Sequence, residues 1–178
     1  RFSYRYKFED GEYSTFAPFT QVAFIPGPFD YHPRKGYNLG MTNRLSEVEL
    51  FNAVTTETPD DVIAVEILFK DDSSPSIYVV DTIKIDGFDT AGSVNMWNAM
   101  LASSATQSIL ETPFVISKEA INSIVPSNQL LRPWDNVPRK ALAQDITGNR
   151  IVYANYTQNY DLLVNDGRAY TPNFSVGL

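Results

Sequence analysis

The chain has 178 residues, enough for one ordinary core or for two small β units side by side. Its 14 Lys and Arg against 21 Asp and Glu give a formal charge of −7, which argues against a surface that grips nucleic acid by neutralising phosphates. The absence of cysteine excludes disulfides and thiolate metal sites, and no apolar run approaches the roughly 20 residues of a membrane-spanning helix.

Phe2, Tyr4, Tyr6 and Phe8 alternate with Ser3, Arg5 and Lys7. This period of two predicts a half-buried strand with an aromatic inner face and a basic-polar solvent face. Glu9-Asp10-Gly11-Glu12 supplies an Asp-Gly hairpin turn, and residues 13–19 return as the partner strand, with Pro18 at an edge or strand end. The short apolar run 21–25 stops at Pro26-Gly27-Pro28, and residues 26–43 read as a loop holding the only histidine, His32. Residues 47–54 fit a strand through Val48, Leu50 and Val54, and fit a helix nearly as well through Leu45, Val48 and Phe51.

Thr58-Pro59-Asp60-Asp61 is a turn. Residues 62–69 place Ile63, Val65, Ile67 and Phe69 on one face of a strand, residues 71–75 turn, and residues 77–85 run back as a second hairpin. Residues 87–110 lose the pattern and read as irregular or partly helical, with weak helical spacing at Met96, Met100 and Leu101. Ser117 is suited to cap a short helix that ends before Pro126. Pro133 and Pro138 bracket an extended connector. Residues 141–145 and 150–156 form strands around Thr147-Gly148-Asn149, and Asn165-Asp166-Gly167 turns between residues 160–164 and 168–173.

Catalytic chemistry is not written in this text. There is no G-x-S-x-G elbow, Walker loop or G-x-G-x-x-G. His32 has no second His or Cys to join it and reads as a solvated loop histidine. Asp60-Asp61, Asp71-Asp72 and Asp86/Asp89 read as turn carboxylates; calcium is their alternative reading, but none has EF-hand spacing. Arg5/Lys7 and Arg34-Lys35 are too sparse for a nucleic-acid stripe and read as solvated. Tyr4, Tyr6, Tyr13 and Tyr31 read as packing aromatics rather than a sugar-stacking platform. No catalytic residue, cofactor or metal site is expected.

Two stretches carry a resemblance. YRYKFEDGEYSTFAP and VIAVEILFKDDSSPSIYVVDTIKI, within the first 86 residues, resemble fibronectin-type-III-like modules of bacteriophage tail proteins. NQLLRPWDNVPRKALAQDITGNRIVYANY resembles a block of short-tailed phage hub or nozzle proteins, the "stabilization" type of gut crAss-like phages. Trp134, Asp135, Asn136, Arg139, Asn149 and Arg150 match that block. The resemblance implies structural roles for them, as turn-forming side chains and Arg bridges between segments.

The resulting expectation is a mainly β chain in three parts: a fibronectin-III-like β-sandwich over 1–86, a connector with a short helix over 87–138, and β-hairpins over 139–178 that belong to a larger body. Because the sequence opens on Arg1, it is expected to be a fragment of a longer polypeptide. The resemblance implies a non-enzymatic virion protein of the phage tail. It would ring with copies of itself, contact other tail or portal proteins, and let DNA pass without specific binding or a membrane span. The alternative is an extracellular fibronectin-like module that binds glycan or protein, with an exposed aromatic platform around Tyr4, Tyr31 and Tyr37.

Overall fold

The computed structural model describes residues 1–23, 27–42, 45–87, 95–106, 112–117, 123–130, 138–171 and 173–177. The elements run β1 (Phe2–Phe8), β2 (Tyr31–His32), β3 (Tyr37–Asn38), a 3-10 turn (Leu39–Met41), β4 (Val48–Phe51), β5 (Val62–Lys70), β6 (Ile77–Lys84) and α1 (Met96–Thr106). They continue with β7 (Phe114–Ile116), β8 (Ser123–Ile124), α2 (Ser127–Leu130), β9 (Lys140–Thr147), β10 (Arg150–Thr157) and β11 (Ser175–Gly177). The chain is mainly β, and among the described residues the strands pair antiparallel.

The largest sheet has the order β1-β5-β6-β8, and a second has the order β11-β4-β7. Across β1 and β5 the register sets Tyr4 against Ile67 and Tyr6 against Val65 on one face, and Arg5 against Glu66 and Ser3 against Leu68 on the other. The first face joins Leu50 of β4 and Trp97 and Met100 of α1 in the main core, with Phe114, Ile116, Phe174 and Val176 of the second sheet region packed against it. A fully buried side chain of this size contributes about 1.5–3 kcal/mol.

The opposite face is covered as well. Leu68, Ile77 and Val125 form a smaller core there, with Phe16, Phe19 and Leu130 packed on it. Ser3 and Arg5 are therefore buried, and the half-buried β1 with a solvated basic face is corrected. Period-two reading detects one covering layer; the second layer here comes from residues 13–20 and 123–130.

Residues 13–20 do run back along β1, although not as a regular strand. The N–H groups of Glu12's successors Ser14, Ala17 and Thr20 bond the carbonyls of Tyr6, Tyr4 and Phe2 at 2.8–2.9 Å, so the companion advances three residues for every two of β1. Hydroxyls make up the mismatch: Ser14 Oγ and Thr20 Oγ1 accept the N–H groups of Tyr6 (2.9 Å) and Phe2 (3.0 Å). Ser3 Oγ donates to the Ala17 carbonyl at 2.6 Å.

Strand pairing crosses the boundaries expected near residues 86 and 138. β8 extends the sheet of β1, β5 and β6, while β4 needs β7 and β11 as its neighbours. The strands of 1–86 thus share their sheets with strands later in the chain, β8 in one sheet and β7 and β11 in the other. Residues 48–51 are strand rather than helix, ended by Asn52 at φ 61°. The helix expected after Ser117 falls largely on residues outside those described, and Ser123–Ile124 is strand. Helix α1 occupies part of the stretch read as irregular, opened by Asn95, whose Oδ1 accepts from Asn98 N–H at 3.1 Å. The Asn165-Asp166-Gly167 turn is present, with Val164 N–H on the Arg168 carbonyl at 2.9 Å, but it links a single bridge, Leu163–Ala169, rather than two strands.

Candidate functional site

The block of greatest interest, residues 128–156, ends in the β9–β10 hairpin. Gly148 (φ 57°) and Asn149 (φ 61°) form its two-residue turn, the left-handed pair that matches strand twist. Register then runs from Thr147–Arg150 through Ile146–Ile151 and Ala143–Ala154 to Lys140–Thr157. Leu142 is 82% exposed and Ile146 75%, and both share a face with Ile151; Val152 and Tyr156 are exposed on the other face. Among the described residues no layer covers the hairpin, and a two-stranded hairpin standing alone is marginal in water, so its base matters.

The base is built around Arg139. Its guanidinium lies 3.7 Å from the Phe8 ring centroid and 5.0 Å from that of Tyr160, and Nη2 pairs with Asp61 Oδ2. Lys140 Nζ reaches the same oxygen. On the other strand's exit, Tyr160 OH donates to Asp10 Oδ2 at 2.9 Å, and burial together with that carboxylate pushes the Tyr160 phenol up to about 12. Asn165 Oδ1 accepts the Asp60 N–H at 2.9 Å, tying the following turn to the same corner. The hairpin is thus pinned to the end of β1 and to the turn before β5.

Of the residues matched to the phage block, Arg139 bridges segments 78 positions apart through Asp61, Asn149 makes the turn, and Arg150 stands beside it with no ion pair among the described residues. Arg139 and the Asn149–Arg150 pair sit at opposite ends of the hairpin and do not converge. Trp134, Asp135 and Asn136 lie outside the described residues. Sequence reasoning missed Asp61, Phe8 and Tyr160 as the sockets for Arg139; no local pattern announces contacts that distant.

A second buried cation sits inside the body. Arg5 is 3% exposed, and its Nε and Nη2 both reach Glu66 Oε2, at 2.8 and 2.7 Å. Nη2 also donates to Gln129 Oε1 of α2 at 2.9 Å, and the guanidinium lies over Tyr13 at 4.0 Å. Burial and the Glu66 carboxylate raise the Tyr13 phenol. Every charge in this cluster is matched, so it holds α2 on the sheet and offers nothing reactive.

The expected aromatic platform is redrawn. Tyr4 is fully buried and cannot belong to it, whereas Phe29 (82% exposed), Tyr31 and Tyr37 are exposed, with the Phe29 and Tyr31 rings near-parallel at 6.4 Å. Asn38 Oδ1 shapes this loop by accepting from the N–H groups of Asp30 (2.8 Å) and Gly40 (3.2 Å). Among the described residues no three His, Cys, Asp or Glu side chains gather as a metal ion requires, and no helix is long and apolar enough to cross a membrane. No protein-family model matches the chain, and comparisons with curated proteins and with solved structures give no match.

Proposed function

We propose that this chain is a non-enzymatic structural protein of a phage tail, a hub or nozzle ring component that assembles with copies of itself and with neighbouring tail or portal proteins. The observation that carries the reading is the β9–β10 hairpin. The last part of the text resembling the phage block, residues 140–156, folds into an arm with apolar side chains on both faces, anchored at its base by Arg139. Such an arm is suited to being completed by a neighbouring subunit, since an exposed apolar hairpin is otherwise an aggregation liability. The formal charge of −7 is compatible with DNA sliding past without sticking. Immunogold electron microscopy of phage particles from the source, with an antibody to this chain, tests the proposal. Gold at the tail end is the expected result; bare particles with the antigen on host cells or in the medium would overturn it.

A second reading, an extracellular module that binds glycan or protein, is favoured by the exposed Phe29–Tyr31 ring pair. Glycan-array binding that disappears in Tyr31→Ala would select it, and a blank array counts against it.

A further inference from the structure

The two outer edges of the β9–β10 hairpin differ, and the difference points to one of them as an interface. With Thr147 and Arg150 closing the two-residue turn, ladder alternation leaves the backbone N–H and C=O groups of Lys140, Leu142, Gln144 and Ile146 facing away from β10. On β10 the outward residues are Ile151, Tyr153 and Asn155. That second edge is broken: Asn155 has φ 48° and drops out of the otherwise continuous register, which twists the strand out of line. The β9 edge is blocked only near the turn, where Asp145 Oδ1 takes the Ile146 N–H at 2.8 Å. Lys140, Leu142 and Gln144 remain in line, every residue of β9 is exposed, and no strand among those described lies against it.

We propose that this edge pairs antiparallel with β9 of a second copy, joining two hairpins into a four-stranded sheet. The inference rests on the reading of the chain as an assembly part and adds a pairwise contact between copies, distinct from the head-to-tail contacts that close a ring. The Asp145 cap restricts pairing to Lys140–Gln144, and the symmetric register that engages all of that window is centred on Leu142. In it Lys140 faces Gln144 of the second copy, Ala141 faces Ala143, and Leu142 faces Leu142 across the two-fold axis. No like charges oppose one another, and small residues meet small residues at the flanks. The two Leu142 side chains fall on the face that carries Ile146 and Ile151, so the most exposed leucine of the hairpin gains an apolar neighbour. A self-complementary patch of this kind is what a two-fold contact demands. Five residues of edge bury well below the roughly 800 Å² per partner of a standard interface, so the contact belongs to the weak class and needs covalent capture to be read.

The chain's lack of cysteine makes that capture clean, because a single introduced thiol reports one position. Leu142→Cys, under mild oxidation of the full chain, is expected to yield mostly disulfide dimer, since residues facing each other across a ladder lie within disulfide reach. Asn155→Cys on the other edge is expected to stay monomeric. Adding Gln144→Pro to Leu142→Cys removes an outward donor and leaves the inner ladder intact, and should lower dimer yield about tenfold through the two symmetric bonds lost. Circular dichroism confirms that each variant keeps its fold. Cross-linking at Asn155→Cys but not at Leu142→Cys would overturn the edge assignment while leaving self-assembly standing. Failure of both thiols to cross-link, in a chain that sediments as a monomer, would overturn the inference outright, and the immunogold result would then judge the tail reading separately.

Discussion

Replacing Arg5 by Met is the most demanding test of the packing described above. Arg5 is buried, both of its bonded nitrogens converge on one oxygen of Glu66, and the Glu66 side chain is only 11% exposed. Removing the cation leaves a buried carboxylate without its counter-charge, a change that costs about 4 kcal/mol. Loss of the Tyr13 ring contact at 4.0 Å adds about 1 kcal/mol. For a chain of this size 1 kcal/mol corresponds to about 2–4 °C, so Tm should fall by roughly 10–20 °C. The double variant Arg5→Met/Glu66→Leu removes both charges and should recover to within about 2 kcal/mol of the parent, with the Gln129 amide as the residual loss. Urea unfolding of the parent, Arg5→Met, Glu66→Leu and the double variant gives the coupling energy directly. An Arg5→Met protein within about 1 kcal/mol of the parent, or a double variant no better than the single one, would refute the buried-pair account.

Three further tests address other corners of the molecule. Arg139→Ala should loosen the hairpin while sparing the body: amide exchange over residues 140–157 is expected to accelerate at least about tenfold, with protection of β1 and β5 retained. Burial pushes the phenols of Tyr4 and Tyr6 well up, with neighbouring tyrosines as the next contribution, and it holds Tyr160 near 12. Groups whose folded pKa lies above the unfolded value near 10 stabilise the fold below that pH, and the contribution is lost as pH climbs through about 10–12. Tyrosinate absorbance from these residues should therefore appear together with unfolding by circular dichroism; early, reversible titration of all ten tyrosines would contradict it. In Gly40→Ala the new Cβ would sit 2.0 Å from the Pro28 carbonyl oxygen, so the 27–42 loop must remodel. Faster limited proteolysis within that loop, at unchanged global Tm, is the expected outcome.

Much of the sheet was legible in the text because β1, β5 and β6 are long enough for alternation to show, and because Asp10-Gly11, Gly148-Asn149 and Asp166-Gly167 carry turn chemistry on their surface. Three kinds of feature were not. β7 and β11 have three residues each, too few for any period, and they are strands only because β4 offers both of its edges. The burial of Ser3 and Arg5 depends on cover brought by Phe16 and by residues 123–130, which a one-layer pattern cannot anticipate. The Arg139 socket draws Phe8, Asp61 and Tyr160 from three separate stretches, and only the fold brings them to one point. Helix α1 was obscured because Trp97 and Met100 bury without a clear apolar stripe around them.

The clamp at Arg139 also has a mechanical meaning. An eight-residue strand extends about 27 Å, so the Gly148–Asn149 tip stands far from the single corner that holds it. Seen as a lever, the hairpin magnifies any play at its fulcrum: each degree of tilt at the base carries the tip through roughly 0.5 Å over that length. How tightly one guanidinium is wedged between Phe8, Tyr160 and Asp61 therefore sets how widely the far turn sweeps, and with it how often that turn finds a target fixed in space.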